Sequence, residues 1–360
     1  TVDSRENMDI EKDRYADARG RNTDGLDLVD CERVRISNSY INCGDDAICL
    51  KSFSPNEGCR DIVITNCVVS SNASGIKIGT ETAGAFEDIT INNCTVYDTR
   101  AEALSIISVD GARVERIICS SISLRNIKGA AIFIRLGDRG RTYRKGAATN
   151  VGVMRDILIQ NVHGTRISGY GCSITGLDDR WVENVMLANI SLEFIDGGKV
   201  IKSDRTPVTP LTEKERRREI YREVPSLRSA YPSGRMFGRL PAYGVFIRHS
   251  RKVSLENVTL RFAEEDIRPA LVADNVDDLR VQRLQAQGSF ATPGLIRMTA
   301  VRNAVVAESS ATSPVPLFLS VYGPGSENIV LVNNRLANAA KRWVEDKTSD
   351  QAVRELGFVD

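Results

Sequence analysis

Several things are scarce in this 360-residue sequence, and each scarcity removes a class of protein. It has no net charge to speak of, +1 with 48 basic against 47 acidic residues, so no global field recruits nucleic acid or an anionic membrane. No apolar run approaches the roughly 20 residues needed to span a bilayer as a helix. There are only two histidines, His163 and His249, and neither falls among the acidic phrases described below; both are expected to be structural or surface residues. No two of the eight cysteines stand in the short CxxC spacing of a zinc site. The opening residues TVDSRENMDIEKDRYADARG lack the positive, apolar and small-residue succession of a signal peptide. They also lack a helix cap or closing element, which leads us to expect that the chain begins inside a domain, with N-terminal turns missing.

What is present is repetition. Phrases of the form apolar, any, apolar, any, Asn recur as VRISN at Val34, IVITN at Ile62, ITINN at Ile89, ILIQN at Ile157, VMLAN at Val185, VSLEN at Val253 and IVLVN at Ile329. Weaker copies begin near Ile117, Leu279 and Ala304, and most neighbours lie about 25 to 28 residues apart. Short Val/Ile/Leu strands separated by Asn, Asp, Ser and Gly at this period mark a solenoid, and the absence of a Leu-rich helical half sets aside leucine-rich repeats. The expected fold is all-β, a right-handed parallel β-helix over residues 1–335, with stacked asparagines satisfying the backbone at its corners. Cys43, Cys67 and Cys94 end like phrases, and Cys119 lies about one period on, which favours stacked interior thiols over a disulfide framework.

A second strand series runs in phase with the first: Leu26/Leu28, Ile48/Leu50, Ile76/Ile78, Leu104/Ile106 and Ile132/Ile134, spaced 22, 28, 28 and 28 residues. Side chains alternate across a strand, so the intervening residues point outward and define one sheet face carrying, among others, Lys77 and Arg135. Two insertions break the period, at about 137–152 and 203–243. The second contains LTEKERRREIYREV, which has the look of a charged helix, and then YPSGRMFGRLPAYG. Such insertions often line the binding face of a solenoid. The tail over 336–360 is expected to be a helical cap.

The chemistry concentrates between Asn22 and Ser52. Asn22-Thr23-Asp24-Gly25 and Gly44-Asp45-Asp46 each lead into an apolar strand, so Asp24 and Asp46 fall one turn apart and Asp45 faces the other way at its strand start. Like charges assembled this closely raise one another's pKa, a cost a chain retains more readily for chemistry than for stability. Glycosidic cleavage needs such a division of labour, with one carboxyl protonating the leaving oxygen and others activating water, separated by about 6.5–9.5 Å when the reaction inverts configuration. Competing readings are that the acids are ordinary turn residues, or that they hold calcium.

NTDG, then GDD twenty residues later followed by an apolar strand and Lys51-Ser52, resembles glycoside hydrolase family 28, the polygalacturonases and rhamnogalacturonases. The resemblance implies a parallel β-helix, an inverting cleavage of a pectic polysaccharide or oligosaccharide, and neither metal nor cofactor. It assigns Asp45 as general acid, Asp24 with Asp46 as the pair that activates water, and Asn22 as a residue of the same cleft. It also implies a secreted, periplasmic or cell-surface location, with no nucleic acid or membrane partner and a monomeric state expected.

Two departures stand out. The family's Gly-His-Gly phrase falls on Ala73-Ser74-Gly75, which puts Ser74 in place of the histidine, and its Arg-Ile-Lys phrase falls on Ser105-Ile106-Ile107. Lys77 and Arg135, outward one turn to either side, are the candidate replacements for the missing cations, with Arg139, Arg141 and Tyr143 from the first insertion. Tyr243 and Arg248, at the return of the second insertion, are further candidates to reach the cleft. Cations displaced by a turn change which sugar fits, so an unusual or branched pectic glycan is expected. A catalytically silent carbohydrate-binding solenoid and a lyase on the same scaffold are the alternatives.

Overall fold

A computed structural model describes residues 1–4, 22–143, 150–197, 212, 214, 218, 220–346 and 351–357. Its strands pair in parallel, each with the strand one repeat later, to build a β-helix. The phrase repeat lies in long strands such as Ala85–Thr99, Arg113–Ile127 and Val153–Ile167, in which Ile89, Ile117 and Ile157 stack in register. The second series stacks as Leu26, Ile48, Ile76, Leu104 and Ile132, then continues through the strands Cys172–Thr175, Val245–Phe262, Leu271–Ala286, Ile296–Ala307 and Val315–Tyr322.

Period-two alternation sends one side chain in two to the interior, and these form a single continuous apolar core from Leu28 to Ala352. All eight cysteines are free thiols, seven of them buried; Cys43, Cys67, Cys94 and Cys119 sit in that core. The corners turn on residues with left-handed backbone, commonly Asn or Asp, which tolerate that region best after glycine. Asn38, Asn66 and Asn93 have φ of 53°, 56° and 51°. Their side-chain amides bond from one turn to the next, Asn66 Nδ2 donating to Asn38 Oδ1 at 3.2 Å and Asn93 Nδ2 to Asn66 Oδ1 at 2.7 Å.

The expected helical tail is instead two strands. Ala339–Glu345 pairs with Val315–Tyr322, and Val353–Leu356 pairs with Glu327–Val332. The end of a parallel stack leaves a row of unpaired backbone groups, and these segments satisfy it while laying Trp343 and Val353 against the core. Pairing with the edge outweighs the helix preference of the local composition.

Both insertions come down on the second sheet face. Of the first, 137–143 and 150–152 are described, while 144–149 lie outside the described residues. Of the second, 203–211 lie outside, as do 213, 215–217 and 219 of the stretch expected to be helical. From Tyr221 to Tyr243 the chain forms a strap along the face, and Val224, Phe237 and Leu240 pack there on Ile107, Phe133 and Phe246 as a second apolar cluster. This strap forms a wall of each of the two cavities described below.

Candidate active site

The register of the stack decides which side chains meet. Because Leu26, Ile48, Ile76 and Leu104 are in line, so are the residues two positions earlier: Asp24, Asp46, Ser74 and Glu102. The ladder runs through this row, with Gly25 N donating to Asp46 O at 2.9 Å, Ala47 N to Ser74 O at 2.9 Å and Gly75 N to Glu102 O at 2.8 Å. Neighbouring turns approach so closely that a Cβ on Gly25 would lie 2.5 Å from Ala47 O, and one on Gly75 2.5 Å from Val96 Cγ1. The glycines that follow Asp24 and Ser74 are therefore a packing requirement of the row.

Asp45, one residue before the row, turns its carboxylate to two backbone donors. Asn22 N–H donates to Oδ2 and Asp46 N–H to Oδ1, each at 2.9 Å. Burial pushes its pKa up; the Asn22 and Asp46 amides oppose the rise, while the negative charges of Asp46 and Asp24 add to it. Asp46 goes the other way. Burial works against its charge, but Lys77 Nζ at 2.7 Å from Oδ2 and the Ser74 N–H at 2.8 Å from Oδ1 outweigh it, and the pKa is lowered. Two adjacent carboxyls thus have proton affinities driven apart by their surroundings, which is how one site comes to hold both an acid and a base.

Asp45 and Asp46 open onto a cavity of about 240 Å³ together with Ser74, Lys77, Arg100 and Glu102, closed on one side by Tyr231 to Arg235 of the strap. Ser74 Oγ donates to Glu102 Oε2 at 3.0 Å, and Gly234 N–H donates to Glu102 Oε1. Arg235 Nη2 donates to Arg100 O at 2.6 Å and to Lys128 O at 3.2 Å, pinning the strap to the corner. Thr80 Oγ1 bonds Tyr231 Oη at 2.9 Å.

The other expected residues divide. Asp24 is one rung from Asp46, but its carboxylate faces Lys51, whose Nζ is 2.8 Å from Asp24 Oδ2 and 2.7 Å from Asp27 Oδ2. Asp24, Asp27 and Cys49 bring possible metal-ligand atoms within 4.8 Å of one another. Lys51 Nζ already bridges the two carboxylates and occupies the place between them, and Cys49 is fully buried beneath. Asn22 reaches the site through its backbone amide, with its side chain exposed.

Lys77 is in the site, though as the buried partner of Asp46 and not as an exposed grip. Arg135 corrects the expectation. It does project outward, but the strap covers it, and its guanidinium donates to Gly176 O, Ser226 O and Leu227 O while facing the ring of Phe237 at 5.4 Å. Burial and the nearby Arg248 and Arg228 push its pKa down to about 10. It is a scaffold residue that anchors the strap.

Arg139 is likewise committed, its Nε 3.0 Å from Asp110 Oδ1 and its Nη2 bonded to Asp110 and Tyr143. Arg141 donates its backbone N–H to Asp110 Oδ1 at 3.0 Å and leaves its side chain exposed. Tyr243 is a core residue, bonding Leu260 O and Gln287 O, and Arg248 lines a different cavity.

Arg100, Glu102, Tyr231 and Arg235 were not foreseen. Glu102 alone carried a signal, since it shares the phase of Asp24 and Asp46. The others enter from a corner and from the strap.

Comparison with known proteins bears on the family of the chain. The model of the glycosyl hydrolases family 28 matches residues 3–210. A polygalacturonase of Brassica napus is 26% identical over 207 residues, covering 54% of this chain and 49% of its own. An endo-polygalacturonase of Pectobacterium carotovorum subsp. carotovorum is 26% identical over 144 residues, covering 39% and 34%. An alpha-L-rhamnosidase, rgxB, of Aspergillus niger is 27% identical over 194 residues, covering 46% and 43%. The chain thus spans about half or less of the length of these relatives.

Proposed function

The chain belongs to glycosyl hydrolases family 28, and from that premise we propose that it hydrolyses, with inversion, a glycosidic bond at the end of a pectin-type chain bearing uronate residues. The observation that carries this reading is that Asp45 and Asp46 open onto one cavity with unlike partners, two backbone N–H groups for Asp45 and the Lys77 ammonium with the Ser74 N–H for Asp46.

In this reading Asp45 enters protonated and delivers its proton to the glycosidic oxygen as the bond from that oxygen to the anomeric carbon breaks. Asp46, held ionised by Lys77, takes a proton from a water that attacks the anomeric carbon from the opposite face. Asp24, one rung away, supports that water from the other side when Lys51 yields. The lost histidine leaves a gap that the Ser74, Glu102 and Lys77 network fills by orienting Asp46 instead of the acid. Arg100 and Arg235 in the wall supply the positive charge for a uronate carboxylate, a task for which a planar guanidinium suits. A pectic polymer as substrate implies a site of action outside the cytoplasm.

The strap is what supports end-wise action in this reading. Tyr231 to Arg235 close the cavity, and beyond it the sheet face is sealed under Phe237 and Leu240. On the strap side, among the described residues, a polymer chain cannot continue past the cavity.

Incubation with defined oligogalacturonates and rhamnogalacturonan oligosaccharides, followed by NMR of the first-formed product, tests the reading. Single saturated sugars of inverted anomeric configuration are expected. Retained configuration would remove the proposed mechanism, an ultraviolet-absorbing unsaturated end would mark a lyase, and no product from any pectic oligosaccharide would leave a binding protein.

A further inference from the structure

The same sheet face carries a second and larger cavity, about 540 Å³, well apart from the acids. Two outward columns build its floor. Phe246, Val272 and Arg297 stack in one, and Arg248, Asp274, Thr299 and Tyr322 in the other. Tyr221 to Val224, the beginning of the strap, form its wall. Five stacking steps separate the strand after Asp46 from the one bearing Arg248, and two more lead to Arg297, so about 24 to 34 Å lie between the sites. The sealed strap cluster fills that interval, and a single saccharide chain therefore cannot lie along the sheet from one cavity to the other.

The lining has a specific chemistry. Arg297 is buried, donates one bond to Ile220 O, and keeps a buried Nε that makes no hydrogen bond. Arg248 Nε stands 3.1 Å from Asp274 Oδ2 and another of its nitrogens bonds Val224 O. With Arg222 and Glu223 counted, three arginines face two carboxylates. The Tyr221 ring, well exposed, lies 6.0 Å from the Arg297 guanidinium, and Phe246 and Tyr322 add aromatic surface. Asp274 lends its one negative charge to both Arg248 and Arg297, so the cluster keeps an excess of positive charge that an anion would complete. Aromatic faces beside paired donors and acceptors suit the C–H face and hydroxyls of a pyranose.

We propose that this cavity is a second saccharide site, separate from the site of hydrolysis, which binds a sugar carrying a carboxylate: Arg297 and Arg248 take the carboxylate, Asp274 accepts from ring hydroxyls, and Tyr221 covers the ring. Its volume falls within the range of about 300–1,000 Å³ common for small-molecule sites. The site would hold one part of an acidic polymer while another part is cut, which raises the effective concentration of chain ends at Asp45. The proposal shares with the reading above only the class of ligand, because it concerns binding and needs no catalysis.

The test is calorimetric titration of the Asp45→Asn protein with trigalacturonate, with a neutral galactose oligomer and inorganic phosphate as controls. Two binding equivalents of trigalacturonate are expected. Tyr221→Ala and, independently, Arg297→Leu in that background should each remove one of them or weaken it about tenfold or more, while leaving the other unchanged. In the otherwise native enzyme Tyr221→Ala should leave turnover of trigalacturonate unaltered and raise KM for polymer. Tyr221 is exposed, so its variant stays informative if Arg297→Leu fails to fold.

Should the acid cavity not bind uronates, one equivalent remains and Tyr221→Ala abolishes it, which separates failure of the hydrolase reading from failure of this one. Titrations of both variants superimposable on the parent, or phosphate displacing trigalacturonate from this site at equal concentration, overturn the second site.

Discussion

Lys77 Nζ stands 2.7 Å from Asp46 Oδ2, and both side chains are buried at the floor of the acid cavity. The two come from successive turns, three residues out of line with each other, so the pair is a consequence of stacking and of an outward lysine where the interior residues alternate. In the low-dielectric floor the ammonium makes ionised Asp46 the stable form, and the Ser74 N–H fixes its second oxygen. In the proposed reaction this leaves the base ionised at acidic pH without a histidine.

Lys77→Met removes the partner and keeps the volume. With Asp46 left buried and unpaired, stability at neutral pH should fall by about 3–5 kcal/mol. In the native protein the Asp46 pKa is depressed, so the stability this pair contributes is fully present above the ordinary aspartate value of 3.8 and lost only as pH falls through the lower folded value. In the variant Asp46 titrates higher, and the deficit should shrink as pH falls. Melting curves across pH check this, and the acidic limb of the kcat/KM profile should move up in the same variant. An unmoved limb would take Asp46 out of the base role.

Asp45 supplies the opposite sign. Its pKa is raised by burial, so its protonated form is the one the fold favours, and stability is lost as pH rises through the folded value. Asp45→Asn cannot ionise; its Tm relative to the parent should therefore climb as pH is raised, while hydrolysis falls by about 100- to 10,000-fold. Parallel Tm curves would show that Asp45 is not perturbed as its surroundings demand, and retained turnover would end its role as acid.

The period of the strands, the row of Asp24 and Asp46 and the outward placing of Lys77 are legible in the sequence because stacking converts chain spacing directly into proximity. Asp45 is found by the same arithmetic. Arg135 shows where the arithmetic stops: its direction is periodic, but whether an outward residue meets solvent depends on the strap, whose course no repeat dictates. Arg100 and Arg235 escape for the same reason, one arriving from a corner and the other from the insertion. The tail escapes because its partner is the exposed end of the stack, which local composition does not report.

Phe237→Ala tests the strap as a wall. The ring is buried against the sheet face and faces the Arg135 guanidinium, and truncating it should cost about 3–5 kcal/mol of packing. That cost should fall on the strap more than on the strand stack, which keeps its own core. Limited proteolysis within 220–243 should speed up, KM for oligosaccharides should rise several-fold, and internal cleavage products should appear as the closed end opens. Digestion and product patterns identical to those of the parent would separate the strap from the cavity.

Asn66 sits in the middle of a corner ladder, with one amide bond to Asn38 and one from Asn93, at φ 56°. Asn66→Ala loses both bonds and places a Cβ residue without a local side-chain bond in the left-handed region, itself a cost of about 1–2 kcal/mol. Asn66→Gly loses the bonds but keeps the backbone permitted. The alanine variant should therefore be the less stable of the two in urea melts, and kcat/KM should be unchanged in both, since this corner lies outside the acid cavity. If glycine proves as damaging as alanine, the ladder of amides and not the backbone conformation is what holds the corner.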